Sequence, residues 1–429
     1  MAGGLLTKKA LVLAKVETIP GDDALPTTAL DAILVSEPQY TTDPQVLERD
    51  FVSNDLSSFE HIIGRVVAGF QFVVDFRGNG LSQSGLVADQ PKLATLMEGC
   101  GYKMFPMDGT GDEVTGNQSE LILDRDNPVT ASDLAFSHEG AVTVLRPVLY
   151  TMEVTTGGAS ATAEILTTGN NDAEDDLSAA VPIVVTTAVP ISLGAKGGTV
   201  TPTFTGDLAL GDKFYVIAFP TGVKARPTST ECVTLSIYMY RDGLLFKGFN
   251  AIGTFTVEAP AGDFARVTFN FTTDFQPVTD ITPPTDPVYE TTKPPQVELS
   301  LLTWGDNVQT ISDSWAFDAG NDVQVRLDVN APQGYIGSRI SDRAPSAGFN
   351  PEATLEATEP FWADFFAAKS KVFTVVNGTV VGNQIVVWAP TAQPSEQAFS
   401  DRNGIMAYDK TMLLRRGNLG DDEVSFVFA

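Results

Sequence analysis

The sequence predicts a mainly β chain divided into more than one domain. Composition is the first ground. Hydrophobic residues make up 43% of the 429 residues, enough for real cores, and Gly (37) and Pro (26) are spread along the chain with conspicuous Thr, Val and Phe. That mixture favours short strands joined by turns. The second ground is period-two alternation. Phe70, Phe72, Val74 and Phe76 fall on one face and Gln71, Asp75 and Arg77 on the other, with Val73 the exception. Length is the third, since a chain of this size holds about two to four domains.

Taken in order, the chain opens with Lys8 and Lys9 before a five-residue apolar patch, Ala10 to Ala14. The patch is too short for a signal-peptide core or a bilayer span, so the expectation is a protein neither exported as a preprotein nor anchored in a membrane. Lys15 to Leu56 is polar and turn-rich. Pro20-Gly21-Asp22-Asp23 reads as a turn and Pro26, Pro38 and Pro44 oppose helix, which suggests an extended arm with short strands. The alternating strand Phe70 to Arg77 stops at Gly78-Asn79-Gly80. A helix follows, with Asp89 as N-cap, Pro91 in the first turn, Leu93, Leu96, Met97 and Cys100 on one face, and Gly99 and Gly101 at its end.

Residues 153–225 read as a small β-domain inserted in the main fold. They are rich in Val, Thr and Ala, carry the acidic loop Asn170 to Asp176, and offer strands at Ile183 to Thr187, Gly198 to Phe204 and Lys213 to Phe219. The main pattern then resumes. Val233, Leu235, Ile237 and Met239 alternate with Thr234, Ser236, Tyr238 and Tyr240, and Arg241-Asp242-Gly243 turns the chain into Leu244 and Phe246. Gly253 to Val257 and Val267 to Phe271 form a second pair. Residues 277–296, with six prolines, form a stiff linker. Beyond it come the strand Val323 to Val329, a short helix near Pro360 to Ala368 with Phe361, Trp362, Phe365 and Phe366 on one face, and strands at Lys371 to Val376 and Gln384 to Ala389. A Gly-Asp turn feeds a V-x-F-x-F strand twice, at Gly262-Asp263 with Val267 to Phe271 and at Gly420-Asp421 with Val424 to Phe428. The shared order of elements predicts an internal duplication. The expected units are 1–152 with 226–276, and 297–429.

The net charge is −27, from 54 acidic and 27 basic residues, a balance that repels nucleic acid and anionic membranes. It suits either solubility or a surface past which DNA slides without sticking. Cys100 and Cys232 are too few for a disulfide framework or a zinc site and suggest a reducing compartment. His61 and His138 stand in no metal-ligand spacing, and neither a Gly-x-Ser-x-Gly elbow nor a P-loop occurs. The four carboxylates of Asn170 to Asp176 lack the central Gly and distal Glu of a calcium loop. The expectation is no catalysis, no cofactor and no metal.

Several segments follow one another in a telling order. Lys15-Val16-Glu17-Thr18 leads into Gly21-Asp22; Ala32 to Val35 and Val46 to Val52 come next; then Phe70 to Phe76, and Pro91 to Gly101 with its Cys-Gly end. After the linker stand Phe317-Asp318-Ala319-Gly320-Asn321 and Ile340-Ser341-Asp342-Arg343-Ala344-Pro345. In this order they resemble the K-x-E-T opening, the helix, and the G-N and D-R-x-P landmarks of the tail tube (major tail protein) family of tailed bacteriophages, in a long member with an inserted domain. The resemblance covers residues 15–105 and 230–429 but not the insert.

The resemblance implies a tail-tube β-sandwich or barrel unit with a flanking short helix, duplicated, whose sheets join between subunits around a lumen. It implies a structural subunit of a virion tail, assembled in the host cytoplasm, of the long non-contractile kind. Its partners would be further copies of itself in stacked rings, the tape-measure protein, and tail terminator and tail-tip proteins. Double-stranded DNA would pass without specific binding, and no membrane is involved. Two units per chain favour a trimer with pseudo-six-fold symmetry over a hexamer. Gln71, Asp75, Thr234, Ser236 and Glu258 are the candidate lumen-facing residues, and Lys15, Glu17, Gly21, Asp22, Glu48 and Arg49 the candidate inter-ring arm. The other readings are a baseplate hub or decoration protein, or an extracellular β-rich binding module.

Overall fold

The computed structural model describes residues 6, 8–49, 51–52, 59–80, 90–107, 119–123, 129–139, 147–158, 160–168, 183–193, 198–230, 232–305, 308–309, 311–417 and 420–429. Asp89 and the acidic loop Asn170 to Asp176 lie outside them. The protein is mainly β, with two short helices among the described residues.

The chain starts with β1 (Ala10–Val16), β2 (Ala32–Ile33), β3 (Ser36–Leu47) and β4 (Ile62–Asp75), then α1 (Lys92–Glu98) and β5 (Tyr102–Met107). The apolar Ala10 to Ala14 patch is a strand covered on both faces. Val12 and Ala14 enter the main core, while Leu11 and Leu13 pack with Tyr238 and Tyr240. A strand buried on both sides needs a continuous apolar run rather than alternation. The expected arm is a long strand instead, because β3 pairs along β4 from Ser36 to Leu47. Phe70, Phe72, Val74 and Phe76 are buried as their alternation requires, and so are Leu93, Leu96, Met97 and Cys100 on α1.

An inserted unit follows: β6 (Ser119–Leu123), β7 (Ser132–Glu139), β8 (Val148–Thr156), β9 (Ala161–Thr168), β10 (Ile183–Val185), β11 (Ile191–Ser192), β12 (Thr199–Thr205) and β13 (Lys213–Ala218). They form two sheets, ordered β10-β9-β8-β13-β6 and β11-β12-β7. A boundary at residue 153 would cut β8, which pairs β9 on one edge and β13 on the other; β6 and β7 belong to the same two sheets. Strand pairing, invisible in composition, therefore moves the start of the insert back to β6. In β13, Phe214 and Val216 face the insert's own core, whereas Tyr215 and Ile217 turn outward with Phe219 onto Val376, Val386 and Trp388.

The main sheet resumes with β14 (Gly222–Pro227), β15 (Leu235–Arg241), β16 (Leu244–Pro260), β17 (Arg266–Phe275) and β18 (Thr279–Asp280). Beyond the linker come β19 (Leu301–Trp304), β20 (Val308–Gln309), β21 (Ser312–Asp318), β22 (Asn321–Leu327), β23 (Tyr335–Arg343), β24 (Ser346–Pro351), α2 (Phe361–Phe366), β25 (Lys371–Asn377), β26 (Ile385–Arg402), β27 (Ile405–Leu414) and β28 (Ser425–Phe428). The linker runs over the first stretch. The Lys92 backbone N–H donates to Glu290 at 2.7 Å and Arg77 donates to the Thr292 carbonyl at 2.8 Å.

In the first stretch the pairing runs β1-β15-β16-β17-β4-β3. In the last it runs β19-β25-β26-β27-β24-β21. The two are joined where the end of β16, Thr256 to Pro260, pairs with β21. A single core holds residues of both, including Phe255, Phe269, Phe317, Phe349 and Phe426. The units expected at 1–152 with 226–276 and at 297–429 thus share one sheet and one core. The V-x-F-x-F match does not join corresponding strands. Val267 to Phe271 lies in β17, between β16 and β4, while Ser425–Phe428 is β28, between β14 and β26.

Candidate functional site

Glu17 is buried, and its carboxylate collects four donors. Thr234 Oγ1 lies at 2.6 Å, Ser236 Oγ at 2.9 Å, the Asn250 N–H at 2.9 Å and the Gly21 N–H at 2.7 Å. Such a carboxylate needs all its donors, because burial removes the water that would replace them. Thr234 and Ser236 therefore line no lumen: they are buried beneath the segment 17–24, which Ser236 also caps by accepting from the Ala24 N–H at 3.0 Å. Glu17, Gly21 and Asp22 likewise belong to a segment folded onto the chain's own sheet, and Lys15 is a β1 residue opposite Ser236. No free arm is formed there. Alternation alone could not separate a sheet face covered by a loop from one facing solvent.

Gln71, Asp75 and Glu258 do share a face. Asp75 stands opposite Arg266, which stands opposite Glu258; Gln71 stands opposite Asn270, which stands opposite Thr254. Gln71 and Glu258 are exposed and Asp75 is half-buried. The face continues across the joint, where Asp318 pairs with Thr256.

The joint has a specific geometry. Asn321 Nδ2 donates to the Cys100 carbonyl at 2.7 Å and to the Gly253 carbonyl at 3.0 Å. Gly320 has φ +59, and a Cβ there would collide with the Ala344 carbonyl. These contacts account for the Gly-Asn pair singled out in the sequence. Arg343 pairs with Asp421 at 2.9 Å and Glu423 at 2.6 Å, and Asp421 also accepts from Ser229, so three distant segments are tied. The β22–β23 hairpin lies across the first stretch: Tyr335 Oη donates to the Val66 carbonyl at 3.1 Å and accepts from the Phe275 N–H at 3.2 Å.

The outer end of the β3–β4 hairpin carries exposed Val46, Leu47, Phe51, Phe59, Ile62 and Ile63 together with Glu48 and Arg49, and the Arg49 guanidinium lies 5.3 Å from the Phe51 ring. A second exposed apolar patch lies beside α2. Trp362 packs against Phe366 and Phe399 at 5.9 and 5.2 Å, and Phe366 and Phe399 are 77% and 62% exposed. The expected single aromatic face of α2 is thus split, since Phe361 is buried. A groove of about 480 Å³ opens between β1, β2 and the start of β3, lined by Val12, Ile33, Val35, Pro38, Gln39 and Arg241.

Burial displaces several titratable groups, among them Lys410, Glu98 and Asp274. Lys410, 2% exposed, holds its ammonium 3.7 Å from the Trp304 ring and 4.2 Å from Phe361. Desolvation, then the Lys371 charge, bring its pKa down to about 7. Desolvation raises Glu98 to about 7 and Asp274 to about 6. None sits in a cluster with nucleophile or metal geometry. Among the described residues, no group of three or more His, Cys, Asp or Glu is placed to hold a metal, and no helix is long and apolar enough to cross a membrane. His61 is exposed, and His138 lies in β7 opposite Val200. No protein-family model and no curated protein matches the chain.

Proposed function

We propose that the chain is the structural subunit of a bacteriophage tail tube and that its first and last stretches are two copies of one tube unit. The observation that supports this most is the joint between β16 and β21. It pairs β21, the edge strand of one six-stranded array, with the end of β16 that runs past β15 in the other, and leaves the outward edges of β3 and of the β26 end without a strand partner among the described residues. Unpaired edges invite pairing with another chain. Here the two open edges differ, so the contact is head to tail and propagates until a ring closes.

Three chains would then supply six units, a trimer with pseudo-six-fold symmetry. Gln71, Asp75 and Glu258 would face the lumen, whose acidic lining keeps DNA phosphates from sticking within the roughly 8–10 Å over which charge acts at physiological salt. The lumen would house the tape-measure protein before ejection and conduct DNA during it, with terminator and tip proteins closing the ends. Glu48 and Arg49, at the outer hairpin end, remain suited to contacts between subunits. The inserted unit, docked through Tyr215, Ile217 and Phe219, would decorate the exterior.

Negative-stain electron microscopy of the purified chain tests this. Rings or tubes of constant bore with three chains per ring support it. A protein that stays monomeric at high concentration and under nucleation by preformed tail tips would sink it.

A further inference from the structure

The intrachain joint predicts the residues of the contact between copies. Pairing registers match the two stretches position by position. Phe255 stands opposite Phe269 as Phe399 stands opposite Tyr408. Tyr40 stands opposite Phe70 as Trp315 stands opposite Phe349. On the same registers Val257 matches Asp401, Val267 matches Met406, and Phe317 matches Thr42.

Matching positions have opposite exposures at one place. Phe255 is 1% exposed, with Phe317 of β21 packed 5.6 Å away, and Val267 is 1% exposed. Phe399 is 62% and Met406 55% exposed. No described strand of the chain pairs the β26 edge where β21 pairs β16. The strand matching β21 is β3, whose outer edge no described strand pairs.

We infer that β3 of a second copy pairs antiparallel with the end of β26, Ser400 to Arg402, and buries Phe399 and Met406. The contact extends in two directions, each with an intrachain precedent. Beyond the joint, the β22–β23 hairpin crosses the end of α1 through Asn321 and Ile340. The outer β3–β4 hairpin, with Val46, Leu47, Ile62 and Ile63, crosses α2 in the same way and covers Trp362 and Phe366. On the other side, the β16–β17 turn seats against the next stretch: the Ala261 N–H donates to the Asp313 backbone carbonyl at 2.7 Å and the Gly262 N–H to the Val297 carbonyl at 3.1 Å. The β26–β27 turn, Asn403-Gly404, accordingly seats in the groove lined by Val12, Ile33, Pro38 and Arg241 of the second copy.

This assignment rests on the tube reading, and one experiment separates their failures. In a Cys232→Ser background, Thr42→Cys and Asp401→Cys are combined, oxidised mildly and run on denaturing gels; Phe399→Ser is followed by sedimentation and electron microscopy. The expected result is a ladder of disulfide-linked chains from the double variant and none from either single variant. Phe399→Ser should keep the thermal midpoint of the monomer but need about tenfold more protein to assemble, as for an interface aromatic. If the parent forms rings but the double variant gives no ladder, and Phe399→Ser assembles equally well, the interface is wrong while the tube reading stands. If the parent forms no rings, even with preformed tips, and no ladder appears, both fall.

Discussion

Phe255 and Phe399 hold matching places in two strand arrays, yet one is 1% and the other 62% exposed. Around Phe255 stand Tyr102, Phe269, Phe426 and, from β21, Phe317, whereas no described strand pairs the β26 edge beside Phe399. Phe255→Ala should therefore cost about 3–5 kcal/mol of monomer stability, as for a buried aromatic, and Phe399→Ala less than about 1. Urea unfolding at concentrations below assembly checks the pair. Equal costs would mean that the matching of positions is wrong.

Glu17→Gln keeps the shape of the Glu17 side chain but removes its charge and turns one acceptor oxygen into a donor facing Thr234, Ser236, Gly21 or Asn250. A loss of about 2–4 kcal/mol is expected, the scale of a buried charged hydrogen-bond set left unsatisfied. Denaturant midpoints report it, and a change below about 0.5 kcal/mol would show that segment 17–24 is not anchored there.

Lys410 occupies the place that Phe271 fills in the first array, and its ammonium has no hydrogen-bond acceptor among the described residues. Its folded pKa of about 7 lies below the 10.5 of a free lysine. The unfolded chain thus binds more protons between these values, so this residue makes stability rise with pH from about 7 to about 10. Lys410→Met should raise stability at pH 7 and flatten that rise. Thermal melts of both proteins across pH 6–10 give the comparison, and parallel curves would refute it.

Glu98 behaves oppositely. Its folded pKa of about 7 exceeds the ordinary 4.5, so the folded chain binds more protons between them and stability falls as pH rises through that window. Above it the penalty is constant. Glu98→Gln should be more stable than the parent at pH 8 and indistinguishable from it at pH 4, by the same melts.

Much of the fold was legible in the sequence. Phe70 to Phe76 and Leu235 to Met239 alternate because one side chain in two meets the core, and α1 shows its face at Leu93, Leu96 and Met97. Gly320-Asn321 and Arg343 stand out as landmarks because their conformation and hydrogen bonds are demanding. The two V-x-F-x-F strands were a false guide, since a buried strand of any topology favours that pattern.

By itself, then, the sequence determined the β class, the places of strands such as β4, β15, β17 and β25, and the two helices, because local periodicity and turn chemistry act over a few residues. Tertiary structure alone decided which polar face is covered, that Glu17 is a buried anchor, where the insert begins, and which of two matching phenylalanines is left in solvent. Each of these depends on what a distant segment lays over a strand, and residue spacing carries no record of that.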